Sequence, residues 1–201
     1  MSQRQRVFFL KIIIHLSALL PLINVYYLAI IDQLGADPVE AIIHFTGISA
    51  FNLLLITLAV SPLIKLSKHS YLMQTRRLLG LYAFLYGVCH VVNFLAFEVQ
   101  FSGELFISEV IERPYITIGM IAFLFLIALA ITSINTLKRK MGKSWQQLHN
   151  FNYLIVILVA IHFYWSVKSE LTSPLFYAVI TLILLLFRYK KIKRLISTRF
   201  A

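Results

Sequence analysis

The chain is divided into apolar runs of about 18–22 residues, each closed off by a short charged stretch. Coiled as a helix rising 1.5 Å per residue, such a run crosses about 30 Å of hydrocarbon. No water reaches backbone groups at that depth. A spanning segment must therefore satisfy its own amides and carbonyls, and a helix does so within one segment. The pattern predicts an all-α integral membrane protein. Composition agrees: 60% of the 201 residues are hydrophobic, against about 45–50% apolar for a typical soluble domain.

The predicted spans are 11–31, 39–64, 77–97, 115–136, 146–166 and 174–189, a six-helix bundle. MSQRQRVFFLKIIIHLSALLPL at the start reads as the first span rather than a cleaved leader, because its apolar run continues to about Ile31. Asp37-Pro38-Val39-Glu40 offers an N-cap, a proline at the first helical position and an acid in the first turn. Ser144 with Gln147 predicts a capping box before the fifth span, Gly142 a loop after the fourth, and Pro21 a kink in the first. ELFISEVIE, in the longest outer loop, predicts a short helix on the membrane surface.

Six spans sort the charges. Arg4, Arg6, Lys11, Lys65, Lys68, Arg76, Arg77, Lys138, Arg139, Lys140, Lys143, Arg188, Lys190, Lys191, Lys193, Arg194 and Arg199, 17 of the 19 basic residues, fall on one side. Arg113 and Lys168 fall on the other with all eight acids. By the positive-inside rule both termini are cytoplasmic and the acidic loops face out. The net charge of +11 is then an orientation signal with some attraction to anionic lipid, and no nucleic-acid partner is expected. No Gly-rich phosphate loop or nucleotide-binding segment is present, and no loop is long enough for a soluble domain. The single cysteine, Cys89, lies in a span and reads as packing.

Ionisable residues inside spans are costly and point to function. His90 and His162 lie at similar depths in the third and fifth spans, which run in the same direction, so both fall near the outer leaflet. Two imidazoles facing across a bundle core can hold one haem iron from both sides; the alternative is a pair of neutral histidines on backbone carbonyls. His149 precedes His162 by thirteen residues, about 20 Å along a helix, which suits a second redox centre near the cytoplasmic face. The same offset from His90 lands on Arg77, which either approaches a haem propionate or other anionic cofactor or, with Arg76, anchors the helix at the interface. Thirteen steps of about 100° do not return to one helix face, so the two levels are rotated or the helix is distorted. His44, at the outer end of the second span, is placed to contact the outer cofactor or a docked partner, or simply to sit at the interface. His15 and His69 read as structural. Asn24, Asn52 and Asn93 are candidates for interhelical hydrogen bonds, and Phe163, Tyr164 and Trp165 for a porphyrin wall.

ADPVEAIIHFTG (36–47), TRRLLGLYAFLYGVCH (75–90), ERPYITIG (112–119) and GKSWQQLHNFNYL (142–154) together resemble the MsrQ family, haem-binding membrane subunits of periplasmic protein-methionine-sulfoxide reductase systems. That family lies within the ferric-reductase-like transmembrane group. The resemblance extends to RYKKIKRL (188–195) and so treats 1–201 as a single haem-binding domain. It implies a multi-pass b-type cytochrome of the bacterial inner membrane. Such a protein takes electrons from membrane quinol and passes them to MsrP, a periplasmic molybdenum-containing catalytic subunit that repairs oxidised proteins. One or two b haems and FMN are the cofactors it implies. His90 and His162 match the principal haem ligands and His149 a third candidate; Arg77 stands where the wider group often carries a fourth histidine.

Two other functions fit such a scaffold. A stand-alone ferric or small-molecule reductase would need no catalytic subunit. A histidine-relay transporter would be expected to break its helices at mid-membrane, and the fifth span contains neither Gly nor Pro.

Overall fold

The computed structural model describes residues 2–167, 170–190 and 192–193; Lys168, Lys191, Arg194 and Arg199 lie outside them. The described residues contain helices and no strand. Long helices are α1 (Gln3–Ile30), α2 (Pro38–Ser67), α3 (Arg76–Asn93) and α5 (Pro114–Ile131). Shorter ones are α4 (Gly103–Glu112), α6 (Asn135–Met141), α7 (Lys143–His149), α8 (Asn152–Ser166) and α9 (Thr172–Leu186). A 3₁₀ segment, Ser70–Thr75, leads into α3, and a π turn, Phe94–Glu98, ends it. Five segments are long and apolar enough to cross a membrane, and α9 is a shorter apolar helix.

Several helix ends follow the predicted chemistry. Asp37 accepts a hydrogen bond from the Glu40 amide at 2.9 Å, with Pro38 opening α2. Asp37→Ala is expected to cost about 1 kcal/mol, read as a shift in the midpoint of a denaturing-detergent titration. Gly142 adopts φ 53° between α6 and α7, a left-handed conformation that only glycine takes at no steric cost. ELFISEVIE does form α4, capped by Ser102.

Other ends differ from expectation. No Ser144–Gln147 capping box forms, because α7 starts at Lys143 and Ser144 is already inside it. The predicted span 115–136 stops at Ile131. There the Thr132 and Ser133 hydroxyls bond back to the Ala128 and Leu129 carbonyls at 2.7 and 2.8 Å, and Ile134 turns extended. The predicted span 146–166 falls within the apolar segment Lys143–Ser166, whose helix tightens between α7 and α8, with Phe151 N–H bonding the Leu148 carbonyl at 3.0 Å. That tightening changes the rotation of residue 149 relative to residue 162. By contrast, α1 runs on through Pro21, and the open groove of about 540 Å³ there is lined by Leu20, Ile23, Asn24 and Tyr27.

Burial separates inner from peripheral helices. In its most apolar window α2 is 39% buried and α1 only 17%. On α1, Phe8, Ile13, Leu20 and Ile23 are all about 60% exposed, as are Phe176 and Leu182 on α9. Exposed apolar area on that scale suits a lipid environment. The core is made where α2 packs on α3 and α5 packs on α8, with α3 also touching α5 and α2 touching α8. Leu54, Ala83, Ala122, Leu126 and Ile155 meet at its centre. Side-chain hydrogen bonds lock the periphery on: Tyr86 donates to the Ala18 carbonyl (2.7 Å), Tyr26 to Asn93 (3.0 Å) and Tyr177 to Asn52 (2.8 Å). Two of the three predicted interhelical asparagines thus bridge helices, while Asn24 lies exposed in the Pro21 groove.

Candidate functional site

His90 on α3 and His162 on α8 meet in the bundle, ring centres 6.2 Å apart and planes at 86°. Each ring is held in the same way. The His90 Nδ1–H donates to the Ile43 carbonyl at 2.9 Å, and the His162 Nδ1–H donates to the Tyr115 carbonyl at 2.7 Å. A carbonyl only accepts, so in the neutral ring the proton sits on Nδ1 and the lone pair on Nε2. A backbone carbonyl on the far nitrogen is the usual device for orienting a ligating histidine.

Glycine makes both seats possible. A Cβ at Gly47 would lie 2.9 Å from Nδ1 and Cε1 of His90; one at Gly119 would lie 2.7 Å from Nδ1 of His162. The two arrangements are copies. Ile43 and Tyr115, Gly47 and Gly119, and His90 and His162 are each offset by 72 residues. EAIIHFTGISAFNLL (40–54) and ERPYITIGMIAFLFL (112–126) align at that offset with Glu, Gly, Ala, Phe and Leu in common. The pairs α2–α3 and α5–α8 are therefore an internal repeat, and each repeat delivers one histidine.

Two inward-turned imidazoles, each with Nδ1 held by a carbonyl and Nε2 left as the available nitrogen, are a donor set that would suit a haem iron. His44 lies within electrostatic reach of His90 and packs against Phe163, centres 6.2 Å apart. Phe163 in turn contacts Phe51 and Tyr177. Tyr164 and Trp165 are exposed at 38% and 52%, so of the three aromatic candidates only Phe163 turns inward.

The group around His149 is arranged differently. His149 contacts the Thr132 hydroxyl through Nε2 at 3.0 Å and stacks on Trp145 with centres 4.0 Å apart. The Trp145 indole donates to the Thr132 carbonyl at 2.8 Å, and the Lys138 ammonium sits 4.6 Å above its ring. Arg77 is not brought to His149; it is exposed and donates to Asn135 at 3.0 Å. Arg76, half-buried, is the arginine within electrostatic reach of His149, and of Arg188 and Tyr153 as well. Arg188 donates to the Leu58 carbonyl at 3.1 Å and to Tyr153 at 3.4 Å, while its buried Nε has no partner among the described residues. All eight acids lie elsewhere in the sequence, and the ion pair among the described residues is Arg113–Glu109 at 3.0 Å, an exposed pair of small energetic weight.

Comparison with known proteins decides the family. The model described as "Ferric reductase like transmembrane component" matches residues 45–160. The protein-methionine-sulfoxide reductase heme-binding subunit MsrQ of Cronobacter sakazakii (strain ATCC BAA-894) is 44% identical over 191 residues, 94% of this chain and 96% of its own. The chain belongs to the MsrQ family. The match to the broader ferric-reductase-like group takes in Gly47, His90, Gly119 and His149 but ends two residues before His162, whereas the likeness to MsrQ runs over nearly the whole chain.

In this family member the pairing of His90 with His162 is legible in the sequence, and the residues that support the two rings are not. Gly47 and Gly119 carried a signal, since a glycine inside an apolar helix usually marks a close approach. The repeat at an offset of 72 would have linked them to His90 and His162. Arg76 carried none, because adjacent arginines differ only by helix rotation.

Proposed function

We propose that this chain is the membrane cytochrome b of a protein-methionine-sulfoxide reductase system. In this reading it carries electrons from quinol, across the bacterial inner membrane, to the periplasmic catalytic subunit MsrP. Six spans with both termini in the cytoplasm put His90 and His162 near the outer leaflet and His149 near the inner one. The observation that carries the reading is the pair of imidazoles fixed by Nδ1 on backbone carbonyls, with ring centres 6.2 Å apart. Haem held there supplies one-electron carriage. The chain's own part is to fix both rings through Ile43 and Tyr115, seat them on Gly47 and Gly119, and bury the centre among Phe51, Phe163 and Tyr177.

His149, with Arg76 within electrostatic reach, would serve a second centre on the input side. For FMN, which the family resemblance adds, the best-matched donors are Arg76, Arg188 and Tyr153: guanidinium groups suited to a phosphate, one with an unpartnered buried Nε. The acidic outer segment, Glu104, Glu109 and Glu112, together with His44, is the docking face for MsrP. Reversing those three charges to lysine is expected to slow electron transfer to MsrP several-fold at low salt and to lose that effect at high salt. An unchanged rate at both would remove the docking face.

The test is the reduced-minus-oxidised spectrum, with haem counted per chain, followed by quinol-driven reduction of MsrP in proteoliposomes. A colourless protein in the presence of haem, or rapid reduction of ferric chelates with no transfer to MsrP, would overturn the reading. His149→Ala is expected to remove part of the b-type signal and leave the rest; a spectrum identical to wild type would leave a single centre.

A further inference from the structure

His15 is the one histidine of α1, and it lies on the exposed face of that helix among Ile12, Leu16 and Leu19, all exposed apolar side chains. Its Nδ1 is 2.5 Å from the Tyr82 hydroxyl of α3, and the two rings meet edge to face, centres 5.5 Å apart. Tyr82 itself is only 7% exposed. An imidazole is thus anchored from inside by a buried phenol and presents its other edge outward from the bundle. In hydrocarbon a ring nitrogen left without a hydrogen-bond partner is strongly unfavourable. The arrangement calls for a membrane-soluble molecule that carries a hydrogen-bonding group to it.

We propose that His15 and Tyr82 form the binding site for the headgroup of a lipid-soluble hydroquinone. The proposal rests on the preceding reading for the direction of electron flow and for the nature of the donor, and adds where that donor binds. Three observations converge on a hydroquinone. First, the site opens sideways from the bundle, the direction from which a bilayer-dissolved molecule arrives. Second, the Tyr82 contact occupies Nδ1 and leaves Nε2 to bond a headgroup oxygen, as acceptor or donor according to the tautomer. Third, Tyr82, Tyr86 and His90 succeed one another at four-residue spacing on one face of α3. Tyr86 is 2% exposed and fixed to the Ala18 carbonyl at 2.7 Å. Aromatic residues at helical spacing on α3 therefore lie along the way from His15 to the histidine pair. Lys11, one turn before His15, marks the nearby aqueous boundary.

The reaction balances as follows. Oxidation of one hydroquinone breaks two O–H bonds and releases two protons and two electrons. Both protons leave to water at the boundary marked by Lys11, one of them by way of His15 Nε2 in the tautomer that carries its hydrogen on Nδ1. The electrons are taken one each by two equivalents of ferric haem, the oxidant of the proposed function.

The experiment uses the whole haem-loaded protein in lipid vesicles with a photoreactive azido-quinone, and maps the labelled peptides. Label on α1 around His15 or on α3 around Tyr82, competed by unmodified quinone and lost in His15→Leu and Tyr82→Phe, is the expected result. In the same preparations quinol-driven haem reduction falls by about 100-fold in His15→Leu, while haem content and the dithionite-reduced spectrum stay at wild-type values. Label elsewhere, label that survives both substitutions, or full quinol-driven reduction in both variants would overturn the site. Labelling of wild type at His15 without any reduction of its haem by quinol would instead overturn the donor assignment and leave the binding site standing. Should His15→Leu fail to assemble, Tyr82→Phe and the wild-type map decide the matter alone.

Discussion

His162→Ala is expected to strip the outer centre of haem, and His90→Ala to do the same. Each ring is one of two facing ligand candidates, held by a single backbone hydrogen bond and half-buried where the repeats meet. Loss of a group that merely orients a ligand weakens metal binding by about 10–100-fold, and loss of the ligand itself should do at least as much. The measurement is haem per chain with the reduced-minus-oxidised spectrum. Free imidazole added to the alanine variants should restore part of the signal, because it would fill the place of the deleted ring; a misfolded protein would not recover this way. Wild-type haem content in both variants would refute the ligand pair and return the histidines to a packing role.

Gly119→Ala should be nearly as severe, although glycine carries no chemistry. The added methyl would stand 2.7 Å from His162 Nδ1 and 2.9 Å from its Cε1, well inside contact distance. The ring can relieve this only by leaving the Tyr115 carbonyl that orients it. Overpacking of this kind costs about 1–3 kcal/mol, and the displaced Nε2 would lose its alignment. Gly47→Ala should act in the same way on His90, where the distance is 2.9 Å. Gly80→Ala is the control: it lies in α3 with nothing within 4 Å of the new methyl, and should gain up to about 1 kcal/mol of helix propensity. The three variants are compared by haem content and by the midpoint of unfolding in denaturing detergent. Equal behaviour of Gly119→Ala and Gly80→Ala would show that the seat has no role in holding the ring.

The repeat explains why these two predictions belong together. Each α-helical pair brings one carbonyl, one glycine and one histidine at fixed separations, 47 residues from carbonyl to imidazole and 43 from glycine to imidazole. The outer histidines keep this symmetry. The inner level breaks it, because the position 72 residues before His149 is Arg77, which points out to Asn135.

The architecture was legible in the residues themselves. Hydrocarbon enforces helices and sets their length, so runs of apolar residues located the helices even where their ends moved. Local chemistry intervened in two places: hydroxyls at Thr132 and Ser133 stopped α5 early, and a tightened turn at Asn150–Phe151 divides the fifth span into α7 and α8. Depth was legible too. Counting residues from the charged loops placed His90 and His162 at one level, because rise per residue is nearly constant.

Rotation was not legible. A step of about 100° per residue separates Arg76 from Arg77, and only the packing of α3 decides which of them faces His149. Packing likewise decides that His15, which read as structural from its place in α1, meets a phenol on α3, 67 residues away. The nitrogen left to each imidazole is settled in the same way, by whichever group arrives on the other side: a carbonyl on Nδ1 for His90 and His162, a hydroxyl on Nε2 for His149. Sequence alone determined which segments are apolar helices and that His90 and His162 share a level, because solvent and helical rise act on each segment by itself. Only the tertiary structure decided which atoms face one another, because that depends on how each helix is turned against its neighbours.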